Sequence, residues 1–360
     1  MSEARRVLVW QWGRRGAGPH IAAALAAGMR AIPGLQVALS LSRQAEILTA
    51  EVPPACEYPV DTYDGLKGFI IRLLTAPLSR SRLTRRLRAS APELAICAMP
   101  GPLDFVMAAA VRHAGGKVMV IVHDADAHPG DGFPFQMWLQ RRLCRGADVI
   151  ATLSSHVEAR LREQGFGRVP ILQTTLPPMH YGVAAPQAHD GPIRLLHFGR
   201  LLPYKGLDLL AEALTIIGPR RDLLVRIAGS GPASAELDAL AALPNVTVEN
   251  RWVPEEEVGA LLGWSDALIL PYREASQSGV AAAALAAGRA VVATRVGGLT
   301  EQLSGTDRAF LCEPTAMGLA DAIRALLDHP PPPVAIETDP VAPWRDMGAD
   351  LLRQMSAAGR

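Results

Sequence analysis

Short apolar runs rich in Val, Ile and Leu recur through the first half of the chain, and segments with helical spacing lie between several of them. The first such segment places Ile21, Leu25 and Met29 on one helical face. Alternation of strand and helix predicts a mostly parallel sheet covered on both faces. The predicted strands of this half are Arg6–Trp10, Gln36–Leu41, Leu94–Ala98, Val118–Val122 and Val149–Thr152.

The alternation stops around Thr174–Asp190 and a second alternating set begins at Ile193. Prolines and glycine interrupt the pattern there, which is typical of a linker. A run of four prolines follows the second set, and a helical pattern over Trp344–Met355 comes after it. We therefore predict an α/β protein with an N-terminal domain at 1–180, a second domain at 190–330 and a tail at 331–360.

Composition narrows the class of protein. Hydrophobic residues make up 49% of the 360, charged residues 20%, and the net charge of +1 gives no reason to expect a nucleic-acid partner. No apolar run approaches the roughly 18 residues of a membrane span, and Gly13 interrupts the N-terminal apolar run too early for a secretory signal. The four scattered cysteines fit small buried side chains in a reducing compartment. The expected location is cytoplasmic, at most peripheral on the inner membrane.

Two loops of the second half follow strand-like runs and carry candidate chemistry. Gly199–Gly206 follows Leu195–Phe198, and Tyr272–Gly279 precedes a helical Val280–Ala287. Open α/β sheets bind ligands at such strand ends. The first loop supplies the cations Arg200 and Lys205, and the second places Ser278-Gly279 where helix amides can approach an anion. The pattern favours a diphosphate clamp; the alternatives are solvated loop cations and a plain helix N-cap at Ser278.

The order of these elements resembles the C-terminal half of GT-B glycosyltransferases, specifically the large retaining group of family 4-like enzymes. The matching residues are Phe198–Leu201 through Lys205-Gly206, Ile227–Gly231, Leu270–Tyr272, Gln277–Gly279, Val291–Thr294, Gly297-Gly298 and Glu301. The resemblance implies two Rossmann-like domains facing across a cleft, with a C-terminal helix crossing back to the first. It assigns the acceptor to the N-terminal domain at 1–180 and the nucleotide-sugar donor to the second domain at 190–330. It also implies transfer of a sugar from a UDP- or GDP-sugar to a glycan or lipid-linked acceptor in bacterial polysaccharide synthesis. Retained configuration and independence of metal or other cofactors follow from the resemblance alone.

The resemblance assigns roles to individual positions. His123, Arg200 and Lys205 are the expected catalytic residues, and His123 is expected to donate a hydrogen bond to the donor sugar or its phosphate. The expected donor-binding residues are Gly16, Gly18, Gly199, Trp252, Val253, Gln277, Ser278, Gly279 and Glu301.

Two of these assignments leave alternatives open. The loop that contains Gly16 and Gly18 has the spacing G-x-x-G-x-G, which is not a dinucleotide fingerprint, and a simple tight turn is the other interpretation. His123 is either a catalytic or a structural, hydrogen-bonded residue. A metal site with Asp124, Asp126 and His128 is disfavoured because the four lack a recognisable ligand spacing.

The chain departs from the family where many relatives carry two glutamates. Those positions fall on Ala275 and Ala283, and Glu274 lies beside the first. Gln277 is expected to substitute in part for the missing ribose contact. The loss keeps open a catalytically silent GT-B subunit that binds a partner, and a sugar-nucleotide epimerase of the same fold remains the second enzyme hypothesis.

The segment Leu66–Pro92 contains no acidic residue and interleaves arginines with Leu and Ile. Such a stretch can lie on an anionic bilayer, as a lipid-linked acceptor would require. The alternative is a solvated helix face with a core-facing leucine stripe. The arginines assigned to acceptor or membrane contact are Arg82, Arg85, Arg86 and Arg88.

Overall fold

A computed structural model describes residues 4–130, 135–183, 186, 189–332, 334, 336 and 339–358. The chain divides into two compact units. The first unit holds the described residues of 1–126, 133–175 and 341–360, and the second holds those of 127–132 and 176–340. The described residues of 331–340 thus go with the second unit, and only the described residues from 341 onward join the first.

The first unit is built on a six-stranded parallel sheet in the order β2-β1-β3-β4-β5-β6. All five predicted strands are confirmed. The three-residue β6 was not predicted, because so short a run carries no periodicity. The strands are β1 Arg5–Gln11, β2 Leu35–Leu41, β3 Leu94–Cys97, β4 Lys117–Val122, β5 Val149–Thr152 and β6 Ile171–Gln173.

Helices cover this sheet, and the buried residues of strands and helices form the core of the unit. The last helix returns to pack on the first: a Cβ at Gly28 would lie 2.4 Å from the backbone carbon of Trp344. Glycine at this position therefore permits the close approach of the two helices. The helices are α1 Ala17–Arg30, α2 Gly65–Leu74, α3 Ala76–Ser90, α4 Asp104–His113, α5 Gln136–Arg145, α6 Ser155–Glu163 and α13 Ala342–Ala358, with a 3₁₀ turn at Glu46–Thr49.

The second unit repeats the plan with a parallel sheet in the order β12-β11-β10-β7-β8-β9. Its strands are β7 Ile193–Phe198, β8 Leu223–Gly229, β9 Val246–Asn250, β10 Ala267–Leu270, β11 Ala290–Thr294 and β12 Ala309–Cys312. Its helices are α7 Leu207–Ile217, α8 Ala235–Ala241, α9 Glu255–Trp264, α10 Gly279–Ala286, α11 Gly297–Leu303 and α12 Ala316–Asp328, and Pro203–Lys205 is a 3₁₀ turn.

In each sheet the order in which successive strands are added reverses at one point. In the first unit β1 lies between β2 and β3, and in the second β7 lies between β8 and β10. The loops that leave these neighbouring strands diverge to opposite faces of the sheet and open a crevice at its carboxyl edge. Both crevices are therefore the places to look for ligand sites.

Two smaller expectations can be compared with the structure. Cys97, Cys144 and Cys312 are buried as expected, and Cys56 is half-buried. Among the described residues, no helix has the length and apolar character needed to cross a bilayer.

Candidate active site

The crevice of the second unit lies between the β7 and β10 loops, which are locked together by backbone contacts. Gly206 has φ of 68°, and a Cβ there would lie 1.9 Å from the carbonyl oxygen of Pro271. The N–H of Arg273 donates to the carbonyl of Tyr204 at 2.8 Å. These contacts set the side chains of the two loops at a fixed distance.

Lys205 is held by aromatic rings. Its Nζ lies 3.8 Å from the ring centroid of Tyr272 and 4.8 Å from that of Tyr204. Among the described residues no carboxylate pairs with this ammonium, whereas the nearby Arg273 forms an ion pair with Asp208. Cation–π contact fixes a charge without neutralising it. The Lys205 ammonium is therefore held in place without a carboxylate beside it and is available to an anion.

Arg200 is oriented by the same tyrosine. Its Nη2 donates to the Tyr204 hydroxyl at 3.1 Å, and Tyr204 is itself buried. Under this loop, burial lowers the pKa of His197 to about 4, with the charge of Lys205 adding to the effect, while the Nδ1 contact to the Ile269 carbonyl opposes it. His197 is thus neutral at pH 7, and the positive charge of the site comes from its two loop cations.

The N-terminus of α10 stands beside the β7 loop, because a Cβ at Gly199 would contact Val280 at 3.6 Å. The Ser278 hydroxyl caps the helix by accepting from the N–H of Ala281, as the N-cap interpretation predicted. The Gln302 side chain binds the backbone of Ser278 twice. Its Oε1 accepts from the Ser278 N–H at 2.8 Å, and its Nε2 donates to the Ser278 carbonyl at 2.9 Å. In the described chain no group accepts from the N–H of Gly279 or Val280. Unbonded amides at a helix N-terminus attract an anion.

The other predicted donor residues of this unit lie on three different loops or helices. Trp252 is exposed and Val253 buried on the loop after the edge strand β9, and Glu301 is half-buried in α11. Gln277 directly precedes the cap of α10. Nothing yet tests their roles, which stay predictions.

Sequence reasoning missed Tyr204, Tyr272 and Gln302 as parts of this site. Both tyrosines stood inside the quoted motifs, next to Lys205 and Pro271. Their burial beside a lysine could not be read from a pattern of polar and apolar residues, since it depends on how the two loops meet.

In the first unit, His123 is buried at the end of β4, and its Nε2 lies 2.8 Å from the carbonyl of Ala98. A carbonyl only accepts, so Nε2 carries the proton. Burial lowers the pKa of His123, against the raising effects of this hydrogen bond and of Asp124. The ring is therefore neutral at pH 7, with Nδ1 as a hydrogen-bond acceptor.

Two of the other three residues weighed as metal ligands, Asp126 and His128, have protein partners. Asp126 pairs with Arg160 at 2.9 Å, and His128 stacks on Tyr204 and approaches Glu274 at 3.1 Å. In the parts of the chain that the structure describes, no three His, Cys, Asp or Glu side chains converge in a way that could hold a metal ion.

The glycine-rich loop after β1 packs closely on the Gln11 side chain. A Cβ at Gly18 would lie 2.8 Å from the side-chain amide of Gln11, so glycine leaves room for that amide. Gly16 has φ of 78° and precedes α1, which fits the tight-turn interpretation.

Comparison with known proteins matches both units. The family profile "Glycosyl transferase 4-like domain" matches residues 15–176, and "Glycosyl transferases group 1" matches 192–329. The chain belongs to the family 4-like glycosyltransferases of GT-B fold. Neither profile confirms the retained configuration that the resemblance implied.

Individual relatives cover part of the sequence, and solved structures cover the whole fold. Glycogen synthase of Mycobacterium tuberculosis is 30% identical over 196 residues, which span 52% of this chain and 47% of that protein. GDP-mannose:glycolipid 4-β-D-mannosyltransferase of Xanthomonas campestris is 27% identical over 50% of each chain. The matches thus span about half the length of these curated relatives.

Two solved structures share the fold at low identity. Sucrose-phosphate synthase of Thermosynechococcus elongatus has a TM-score of 0.68 and 17% identity, and the match covers 98% of this chain and 94% of the synthase chain. Anabaena HepE in complex with UDP-glucose has a TM-score of 0.65 and 14% identity, over 98% and 99%. The two structures share the two-unit α/β fold of this chain.

At the two positions where many family members carry glutamate, this chain has alanine. Ala275 and Ala283 are both buried. The neighbouring Glu274 is about half-exposed and its carboxylate lies beside Nδ1 of His128. The nearest acidic side chain to the first position is therefore engaged with a histidine.

The basic segment predicted for a membrane surface forms α2 and α3, and its apolar residues divide between them. Leu83 and Leu87 of α3 are buried, as in a solvated helix with a core-facing stripe. α2 has no buried residue. Six of the thirteen large apolar side chains exposed in the described chain fall in this short segment: Leu66, Ile70, Ile71, Leu73, Leu74 and Leu78. We call these six the α2 patch.

Proposed function

We propose that the protein transfers a sugar from a nucleotide-sugar to a glycan or lipid-linked acceptor. The observation that carries the proposal is the pair of cations on the β7 loop, held by tyrosines beside the N-terminus of α10. A departing nucleotide diphosphate gains negative charge as the glycosidic bond breaks. Arg200, Lys205 and the amides of Gly279 and Val280 are preorganised to stabilise that charge.

His123 remains a candidate for contact with the donor sugar in this proposal. The expectation of a donated bond is revised, because the single proton of the neutral ring is already given to Ala98. A donated bond to phosphate would need the charged imidazolium, which burial disfavours.

Retention of configuration and independence of a metal complete the proposed reaction. Retention is supported by family resemblance alone. Metal independence is supported by Arg200 and Lys205, whose fixed charges stand where a divalent ion would act on a diphosphate.

The acceptor is proposed to be lipid-linked, with the α2 patch and the arginines of α3 resting on an anionic bilayer. The helices carry Lys67, Arg72 and the four predicted arginines, and the absence of acidic residues from Leu66 to Pro92 supports this orientation. Among the relatives, the Xanthomonas enzyme acts by name on a glycolipid.

A thermal-shift screen with UDP-, GDP- and ADP-sugars tests donor binding, followed by incubation of the best donor with and without glycan acceptors. Ligand at about a hundred times its dissociation constant should stabilise the protein by about 2.7 kcal/mol. Release of the nucleoside diphosphate with a new glycoside is the expected result. Donor binding without turnover would favour the silent subunit, which the buried Ala275 and Ala283 make the second candidate. Conversion of the donor into an epimer would favour an epimerase.

A further inference from the structure

The loop 272–278 joins β10 to α10 and is held from behind by β11 and α11. The Thr294 hydroxyl, at the end of β11, donates to the carbonyl of Tyr272 at 2.5 Å. The N–H of Gly298 in α11 donates to the carbonyl of Ala275 at 3.0 Å. Thr294 and Ala275 are both buried, so water does not compete for these bonds. The first and the middle part of the loop are thus fixed to the neighbouring strand and helix.

Gln302 of α11 makes a third contact, at the residue where α10 begins. It follows Gly298 by one helical turn, so both groups leave the same face of α11. Its side-chain amide accepts from the Ser278 N–H at 2.8 Å and donates to the Ser278 carbonyl at 2.9 Å. One side chain must therefore accept and donate at the same time, and at neutral pH an amide of this length does both.

The contact with Gln302 decides which amides of α10 face a ligand. The Ser278 N–H is taken up by Gln302, and the N–H groups of Ala281 and Ala282 bond to the hydroxyl and the carbonyl of Ser278. The amides of Gly279 and Val280 are left for an anion. Their direction follows from the orientation of the Ser278 peptide groups, which Gln302 fixes on both sides.

The same loop also sets the position of a cation. The Tyr272 ring lies 3.8 Å from Nζ of Lys205, and the Tyr272 carbonyl is bonded to Thr294. The helix amides and the lysine of the site are therefore positioned from one scaffold, the end of β11 together with α11. Gln302 is the part of this scaffold that acts on the amides.

We propose that Gln302 is a positioning residue of the donor site, which fixes Ser278 so that the amides of Gly279 and Val280 meet a phosphate group of the donor. The inference rests on the proposed function and adds a residue that acts on the diphosphate through the backbone of Ser278. This chain has Ala275 and Ala283 where many relatives carry glutamate, and here α11 anchors the loop through its backbone instead.

Isothermal titration of the full-length protein with UDP, GDP and inorganic pyrophosphate tests the proposal. Gln302→Met keeps the length of the side chain and removes both hydrogen-bonding groups. It should weaken binding of each diphosphate that the wild type binds by about tenfold, because the amides lose their fixed direction. Unchanged affinity in a folded Gln302→Met protein would overturn the proposal.

Gln354→Met is the matched control. The Gln354 side chain also donates to a backbone carbonyl, that of Gln173, but both residues belong to the first unit. This variant should bind every diphosphate as the wild type does. An equal loss of affinity in the control and in Gln302→Met would overturn the positioning role, since the loss would then not depend on Ser278.

Gln302→Glu distinguishes positioning from packing by its pH profile. The introduced carboxylate can accept from the Ser278 N–H but cannot donate to its carbonyl, whereas a protonated carboxyl group can do both. Affinity relative to the wild type should therefore be low at pH 8 and rise by about threefold or more towards pH 5. Dividing by the wild-type affinity at each pH removes the titration of the ligand and of the neighbouring Glu301, which both proteins share.

This profile decides the question if Gln302→Met does not fold. A ratio that stays constant from pH 8 to pH 5 would mean that the hydrogen bonds to Ser278 do not control binding, and would overturn the proposal.

Transfer assays separate this inference from the proposed function. If Gln302→Met loses affinity for a diphosphate but the wild type transfers no sugar, the positioning role stands and the transferase function fails. If the wild type transfers sugar and Gln302→Met keeps both its rate and its donor KM, the function stands and the inference fails. A wild type that binds none of the three diphosphates would overturn both.

Discussion

The two units place a crevice at the same point of the same topology and line it with different chemistry. The crevice of the second unit presents two loop cations and unbonded helix amides, whereas the crevice of the first contains a pocket of about 210 Å³ that is lined by Gln11, Trp12, Tyr63 and Asp104, among others, and by no lysine or arginine. Topology therefore determines where a ligand can sit, and the loop side chains determine its charge.

The first unit also carries cations, but they lie outside the pocket of its crevice. Arg82, Arg85, Arg86 and Arg88 are exposed on α3, and the neighbouring α2 exposes its apolar residues. The first unit thus turns positive charge outward on α3, where a bilayer could meet it.

The largest expected effect tests this outward charge. Replacing Arg82, Arg85, Arg86 and Arg88 with Gln should weaken binding to anionic liposomes by about a thousandfold, since each cation near the surface contributes about 1 kcal/mol. Co-sedimentation with anionic and with neutral liposomes measures the change. Binding of the wild type should weaken as salt rises above about 0.15 M, where the Debye length is about 8 Å.

A second variant set distinguishes the helices. Leu66→Ser with Leu74→Ser removes apolar area from the α2 patch and leaves the arginines in place. If only this pair releases the protein, the arginines of α3 form a solvated face. Absence of liposome binding by the wild type would contradict the membrane proposal altogether.

The next largest effect concerns the cations of the second unit. Lys205→Ala and Arg200→Ala should each lower transfer activity about 10²-fold or more, because each removes a charge that faces the developing diphosphate. Initial rates at saturating donor measure the loss. Lys117→Ala and Arg220→Ala remove exposed cations outside both crevices and should keep activity; near wild-type rates in both site variants would remove the clamp from the mechanism.

Sequence patterns were sufficient for the first five strands of the first unit and for the loops that carry Arg200 and Lys205, because these depend on local periodicity and on residues that follow a strand. They could not show that Tyr204 and Tyr272 hold the cations, since that contact joins two loops far apart in the chain. The pocket around Asp104 was missed for the same reason: its lining comes from four separate segments.

The contrast between Leu83 and Leu74 shows where periodicity is ambiguous. Both lie in one basic, leucine-rich stretch, yet Leu83 is buried in the core and Leu74 is 76% exposed. The apolar residues of α2 and α3 read alike in sequence, and only the packing of α3 on α4 separates them.

A smaller effect tests how the lysine is held. Tyr272→Phe keeps the ring and removes a hydroxyl oxygen that is buried without a hydrogen-bond partner in the described structure, so activity should be retained. Tyr272→Leu removes the cation–π contact, worth about 1 kcal/mol, and should lower kcat/KM by about fivefold. Equal activity of the two variants would show that the ring does not position Lys205.

The buried acid of the first unit gives a pH test. Burial raises the pKa of Asp104 to about 7 from an ordinary value of 3.8, against the lowering effect of its hydrogen bonds. Because the pKa of Asp104 is higher in the folded than in the unfolded protein, its contribution to the free energy of unfolding is fully present below the unfolded-state pKa. This contribution is lost as pH rises through about 7. The free energy of unfolding of the wild type, relative to Asp104→Asn, should therefore fall by on the order of 1 kcal/mol or more between pH 4 and 8. Urea denaturation followed by tryptophan fluorescence measures it, and a constant difference across this range would mean that Asp104 does not titrate as its burial requires.

The second unit should show the opposite dependence of stability on pH. The depressed pKa of His197, about 4, gives stability that is present above the unfolded value of 6.5 and is lost as pH falls through 4. His197→Asn should accordingly lose less stability than the wild type on acidification from pH 7 to 4. Identical acid profiles would count against a neutral, buried His197.

The smallest expected change is none. If Arg200, Lys205 and the amides of α10 supply the charge stabilisation of the second crevice, then transfer activity should persist in excess EDTA, because no divalent ion is needed on the diphosphate. The assay compares initial rates with and without chelator and after addition of Mg²⁺ or Mn²⁺. Complete loss that either ion restores would show that the two cations are not sufficient, and would move the charge compensation of the donor from protein side chains to a metal. The second crevice would then no longer differ from the first by its own cations alone.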